Sequence, residues 1–419
     1  MSSSAAWMEP SLDVDKLSHE IFSILESKFL FGYDDPKLFL HSAPATIAAA
    51  GRVRVLSIDA ADGALAGAAL ARLEASLRKQ SGDPAARVAD FFDLAAGSGA
   101  GGVLSALLFT RGSDDRPLFS AAEAFRLLTK HRHRLFSGAQ RTGILCGILG
   151  RSGGLFRRVF GDATLRDTLK PLLIPCYDLS TGAPFVFSRA DAVEADGYDF
   201  RMGEVCAATC ADSAAGAAPV DMRSVDGRTR IRAVGGGLAM WNPTAVAITH
   251  VLNNRQEFPA AAAGVEDLLV VSLGGEDAAA SPGKPPELPS AAELARIAGS
   301  AQADVVDQAV AMAFGENRAT NYVRIQGHVA APVTTAAGEA ALTERGVDSA
   351  LFRGRKLSER TNGEKLDLFA GELIREHDRR RKRGAAPTVA IKPSTPPSPC
   401  SSESTTWPAI LLPDQELRN

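Results

Sequence analysis

The segment Gly97-Ser98-Gly99-Ala100-Gly101-Gly102 has the spacing best suited to chemistry in this chain. It follows the apolar run Phe91-Phe-Asp-Leu-Ala-Ala96 and precedes the helical run Val103 to Phe109, so it reads as strand, glycine turn, helix, the start of an α/β site. Two chemistries use such a turn. As G-x-G-x-x-G, the glycines Gly97, Gly99 and Gly102 would lay a dinucleotide pyrophosphate on the helix N-terminus. That site also needs a second strand ending in an acid about 20 residues on. Here the polar turn Arg111-Gly-Ser-Asp-Asp-Arg-Pro117 stands instead, which disfavours a nucleotide. As G-x-S-x-G, the turn would raise its central side chain above the sheet as a nucleophile. The central residue is Gly99, and Ser98 falls one residue early, on the strand side, where it cannot take over the attack. Glycine at the tip is free of the strain an L-residue carries there, as expected of a turn that outlasts its nucleophile.

Other reactive side chains are scattered. Cys206 and Cys210 are four apart without a second ligand pair, so they read as buried thiols; no metal and no cofactor is expected. The odd total of five cysteines suits a reducing compartment. His131 and His133 sit in the basic face Lys130-His-Arg-His-Arg134, and His250 reads as structural. Arg126, Lys130, Arg132, Arg134, Arg157, Arg158 and the run Arg379 to Arg383 are the local basic features. Near an anionic leaflet each would add about 1 kcal/mol. The alternatives are a solvated face and, for the tail run, a nuclear-localisation signal. Over the whole chain, 46 Lys+Arg against 49 Asp+Glu give a net charge of -3, which removes the general electrostatic case for nucleic acid.

The elements that must position these residues follow from apolar periodicity. With 419 residues and 45% hydrophobic content the chain can bury an ordinary core. Strands are expected at Val53 to Asp59, Phe91 to Ala96, Leu172 to Cys176, Pro184 to Phe187, Ile231 to Val234, Leu268 to Leu273 and Tyr322 to Ile325. Helices at Asp13 to Phe31, Leu65 to Leu77, Ala245 to Leu252 and Ala291 to Phe314 complete an α/β pattern with a mainly parallel sheet. No stretch approaches the roughly 20 apolar residues of a bilayer-spanning helix, and Glu9, Asp13 and Asp15 are wrong for a signal peptide. The expected organisation is a flexible residue 1–13 segment, one domain over 14–378, and a basic hinge with a Pro/Ser-rich tail over 379–419.

Three segments carry a family resemblance: Leu56-Ser-Ile-Asp59, Ala89-Asp-Phe-Phe-Asp-Leu-Ala-Ala-Gly-Ser-Gly-Ala-Gly-Gly102 and Ala233-Val-Gly-Gly-Gly-Leu-Ala-Met-Trp-Asn-Pro-Thr244. In order and spacing they resemble the landmarks of plant patatin-like lipid acyl hydrolases, in the subgroup whose elbow serine is glycine. The resemblance runs from about Val14 to about Gln326 and includes Ile174-Pro-Cys-Tyr-Asp-Leu179 and Asp267-Leu-Leu-Val-Val-Ser-Leu-Gly274. It implies a modified α/β-hydrolase fold with a Ser-Asp dyad acting on phospholipids and galactolipids. In such a dyad the carboxylate draws the serine proton while backbone N–H groups hold the oxyanion.

Carried onto this chain, the elbow Gly97, Ser98, Gly99, Ala100, Gly101 places the nucleophile at Gly99, and the base falls on Gly235. Both are missing, and the two positions are expected to converge. The oxyanion loop falls on Ala60, Ala61, Asp62 and Gly63 without the usual arginine. An Asp62 carboxylate at 4 Å would oppose the oxyanion by about 4 kcal/mol at an effective dielectric of 20. Two classes stay open: a non-catalytic lipid-binding or regulatory protein, and a lipid acyl hydrolase using other residues. The expected partners are membrane lipids, and the expected setting is cytoplasmic with peripheral membrane contact.

Overall fold

A computed structural model describes residues 51–60, 63–136, 151–211, 217–236, 240–261, 264–274, 290–327, 334–350 and 354–383. The chain divides into residues 1–50 and 51–419, and every described residue belongs to the second unit. The division falls at Gly51, just before the first strand, rather than at Val14. The helix expected at Asp13 to Phe31, together with Ala61, Asp62 and the Pro/Ser-rich tail, lies outside the described residues.

In chain order the main elements are β1 (Val53–Ala60), α1 (Ala64–Ser81), β2 (Leu94–Gly99), α2 (Ala100–Phe109), α3 (Ala121–Phe136), α4 (Arg151–Phe160), β3 (Leu172–Asp178), β4 (Ala183–Ser188) and α5 (Met202–Thr209). They continue as β5 (Val220–Arg223), β6 (Arg230–Gly235), α6 (Thr244–Asn253), β7 (Leu268–Gly274), α7 (Ala291–Phe314), β8 (Tyr322–Ile325), α8 (Thr335–Thr343), β9 (Arg345–Ala350), β10 (Gly354–Thr361) and α9 (Asn362–Arg383). The large sheet runs β5-β6-β3-β2-β1-β7-β8, with β4 also on β3, and β9 and β10 form a separate hairpin. β3, β2, β1, β7 and β8 are parallel to one another; β4 and β6 pair antiparallel with β3, and β5 pairs antiparallel with β6.

Side chains alternate across this sheet, as the two-residue period of a strand requires. Leu56, Ile58, Ala95, Leu269 and Val271 face a core built with α1, α2, α5 and α9. Val53, Val55, Leu94, Ala96, Leu268 and Val270 face a second core with α6 and α7. This is the expected α/β architecture, a mainly parallel sheet flanked by helices.

Two expectations are corrected. Phe91 and Phe92 do not begin a strand: Val88–Phe91 is a helical turn, closed where Arg87 N donates to Asp90 Oδ2 at 2.7 Å. The run Arg379 to Arg383 is no hinge but the end of α9, and Arg380 is drawn inward between Asp93, 2.9 Å away, and Glu376, 3.2 Å away.

Candidate functional site

The glycine turn is tighter than its sequence suggests. Gly97–Gly99 finish β2 and Ala100 already opens α2, so the chain reverses at one residue, Gly99, with φ 56° and ψ −127°. The glycines around it permit close backbone approach. A Cβ on Gly97 would stand 2.4 Å from the Gly101 carbonyl oxygen, and one on Gly101 would stand 2.1 Å from that of Ile58. All ten residues of α2 are buried, so its positive end is fixed at the tip of the turn.

Sheet pairing brings the other landmarks to this tip. Ala60, ending β1, pairs with Gly99. Gly63 opens α1 at φ 78°, and a Cβ there would lie 3.0 Å from that of Ala100. On the other side β4 occupies one edge of β3 along its length, so β2 and β6 share the opposite edge. β2 pairs only at Leu172 and Leu173, and β6 takes over at Cys176, opposite Gly235. The sheet therefore splits between β2 and β3 at their carboxyl ends, where α/β folds place ligand crevices.

The segment Thr209-Cys210-Ala211 fills this split. Gly99 N donates to Thr209 Oγ1 at 2.9 Å, and Cys210 Sγ lies 3.9 Å from the Gly99 carbonyl. Gly235 N donates to Ala211 O at 2.8 Å. A Cβ on Gly235 would stand 2.8 Å from the Thr209 carbonyl oxygen and 3.3 Å from that of Ala211. Gly99 and Gly235 thus flank the same three residues. Ser98 turns away from the tip, its buried hydroxyl donating to Trp241 O.

Sequence reasoning missed the groups that set the electrostatics here. Asp59, fully buried at the end of β1, is held bidentately by Arg324, which also donates to Ser272 Oγ at 2.8 Å. Burial pushes the Asp59 carboxyl up, against the opposing pull of Arg324. Burial lowers the Arg324 guanidinium, but Asp59 more than offsets it, so Arg324 stays charged. The Thr244 hydroxyl lies 2.8 Å from Ser57 Oγ and 3.0 Å from Ser272 Oγ, tying the Asn242-Pro243-Thr244 landmark to β1 and β7. Nothing local marks Arg324; only its buried run in β8 hints that its charge needs a partner.

Cys176, Cys206 and Cys210 are free and buried, and burial pushes all three thiols well above their ordinary range. Among the described residues no group of His, Cys, Asp and Glu has the arrangement to hold a metal ion. His250 lies 3.2 Å from Asn254 Nδ2 near the end of α6, far in sequence from the elbow. Two open clefts, of about 380 and 560 Å³, lie away from the elbow, one beside Arg201 and Arg223 and one beside Arg360 and Phe369.

The chain is 53% identical over 390 residues to patatin-like protein 3 of Oryza sativa subsp. indica, covering 88% of this chain and 92% of that one. It is 49% identical over 428 residues to patatin-like protein 7 of Arabidopsis thaliana, covering 92% and 86%. The chain belongs to the patatin-like family. Another patatin-like relative, named probable inactive patatin-like protein 9 of Arabidopsis thaliana, is 38% identical over 409 residues, covering 94% and 97%. No protein-family model matches the chain. Among solved structures, the crystal structure of VipD from Legionella pneumophila aligns with a TM-score of 0.32 at 11% identity, covering 78% of this chain and 67% of that one. The fold assignment rests on the sheet topology, not on that likeness.

Proposed function

We propose that this patatin-like protein keeps the fold of an acyl hydrolase of phospholipids and galactolipids without the Ser-Asp chemistry, and acts by binding lipid. One observation carries this reading: Gly99 and Gly235, where the resemblance puts the dyad, bear no side chain, and the Thr209 carbonyl oxygen stands only 2.8 Å from a Cβ on Gly235. Acyl transfer by a dyad needs a hydroxyl at the elbow and a carboxylate within reach to take its proton. Neither neighbour replaces them. The Thr209 hydroxyl is 3% exposed and accepts the Gly99 N–H, and Asp59 is sequestered by Arg324. What a dyad-less hydrolase retains, binding and oxyanion stabilisation, amounts to roughly 10³ to 10⁴ over water. A relative in this family is itself named probable inactive.

The preserved tip favours a second reading. Gly99 at the start of α2 still offers helix N-terminal dipole to a developing oxyanion, so a hydrolase that recruits water as nucleophile is the alternative. Among the described residues no helix is long and apolar enough to cross a membrane, and lipid contact in this proposal is peripheral. The test is release of free fatty acid from phosphatidylcholine and monogalactosyldiacylglycerol vesicles. Release indistinguishable from buffer is expected. Robust turnover that resists serine-directed fluorophosphonates would overturn the inactive reading in favour of attack by water.

A further inference from the structure

A stripe of α7 faces solvent without a charge on it, bordered along one edge by Glu293 and Asp304. Leu294, Ile297, Val305 and Met312 are 53%, 56%, 65% and 64% exposed. With the exposed Ala298, Ala301 and Ala309 they fall at helical spacing on one stripe, where half-buried Gln308 is the polar residue. The opposite side is anchored: Ala303, Val310, Ala311 and Phe314 are buried, Phe314 stacks on Tyr322, and Asp307 accepts the Tyr322 hydroxyl. A surface helix ordinarily turns polar residues outward, and an extended apolar face marks a contact.

On its buried side α7 is tied to the elbow by a short chain of hydrogen bonds. Ser98, beside Gly99, donates to Trp241 O. The next residue, Asn242, donates from Nδ2 to Ala303 O at 3.3 Å and from its backbone N to Gln302 Oε1 at 3.2 Å. The middle of α7 is thereby fixed to the loop that abuts the tip of the turn.

We propose that the apolar stripe of α7 docks this protein on a lipid surface, with the elbow loop held against the opposite, buried side of the helix; the proposal rests on the lipid-binding reading above. The dimensions select this occupant. From Leu294 to Met312 the stripe is about 28 Å long, and at about 10 Å wide it covers roughly 280 Å². A stable protein interface takes about 800 Å² from each partner, so a second copy is poorly matched to it. An interfacial helix has only to sink its apolar face into the headgroup and acyl boundary. Because the stripe is uncharged, neutral headgroups suffice and salt screening has little to act on. The basic run is poorly suited to the task, since Arg379 pairs with Glu376 and Arg380 with Asp93.

The experiment is co-sedimentation of the full chain with phosphatidylcholine vesicles, with and without phosphatidylserine, at low and high salt. The unmodified protein is expected to bind both kinds at both salts. The double variant Ile297→Glu/Val305→Glu is expected to lose more than about tenfold in partitioning with an unchanged urea midpoint. The milder Val305→Ser/Met312→Ser falls between and guards against a folding artefact. If the protein binds vesicles but both variants bind equally well, the stripe is not the contact and lipid binding itself stands. Binding confined to phosphatidylserine and abolished by salt would assign the contact to basic side chains. Absence of binding to every vesicle removes the lipid reading along with the surface. A shift from dimer to monomer by light scattering in the variants would make the stripe an interface between copies and overturn the proposal.

Discussion

Thr209 stands between Gly99 and Gly235, the two positions proposed above for a lost dyad. Its hydroxyl satisfies the Gly99 N–H, and its carbonyl stands within 2.8 Å of a Cβ on Gly235. Refilling the two positions therefore does not amount to restoring an enzyme. Gly235→Asp is expected to cost about 1–3 kcal/mol through overpacking, read as a fall in urea midpoint. Gly99→Ser places an L-residue at φ 56°, at a strain of about 1–3 kcal/mol. The double variant is expected to release no more fatty acid than the unmodified protein, because the Thr209–Ala211 segment must move before the carboxylate can reach the serine. Vigorous hydrolysis by the double variant would show that this segment yields easily.

Helix α9 illustrates how an element recruits a charge that reads as free in sequence. Arg380 reaches Asp93 at the foot of β2, where Arg54 also donates, at 3.0 Å, to the same carboxylate. Burial would raise the Asp93 carboxyl, but Arg54 and Arg380 more than offset this and hold it well below the ordinary carboxylate range. Removing Arg380 by Arg380→Ala is expected to cost about 1.5–3 kcal/mol, the worth of hydrogen bonds to a charged group, because Arg54 still holds Asp93. Arg381→Ala and Lys382→Ala, at exposed positions, should stay within about 0.5 kcal/mol. A carboxyl depressed in the folded state contributes stability that is present above its unfolded pKa of about 3.9 and is lost as pH falls through the folded value. The acid limb of stability in urea titrations should thus be shallower in Asp93→Asn. An acid limb unchanged from the unmodified protein would mean that other carboxylates govern it.

At the scale of the molecule, the split in the sheet is lined by three thiols from two distant stretches of chain. Cys176 lies on β3, Cys206 on α5, and Cys210 just beyond it, all inside the larger core. Because burial both shields these thiols and keeps them protonated, reaction with a thiol reagent requires opening of the core. Modification at these three positions, mapped by peptide analysis, is expected to track global unfolding in urea. Labelling in native buffer at the rate of a free thiol would reveal local opening of the crevice between β2 and β3.

The sequence by itself determined the α/β class, most strand positions and the glycines at positions 99 and 235. These are properties of local apolar period and of residue identity at fixed spacing, and they need no knowledge of distant contacts. It misplaced the start of β2, because Phe91 and Phe92 are apolar enough for a strand while the Arg87 and Asp90 pairing that closes a helical turn carries no periodic signal. Only the tertiary structure decided that Thr209 stands between Gly99 and Gly235, that Arg324 neutralises Asp59 from 265 residues away, and that Arg380 reaches Asp93 across 287. It alone turned one apolar stripe of α7 outward, where the sequence shows merely a helix rich in Ala and Val. The physical reason is common to all four: a buried charge, a backbone carbonyl or an apolar face acquires its partner, or lacks one, only when elements far apart in the chain are packed together.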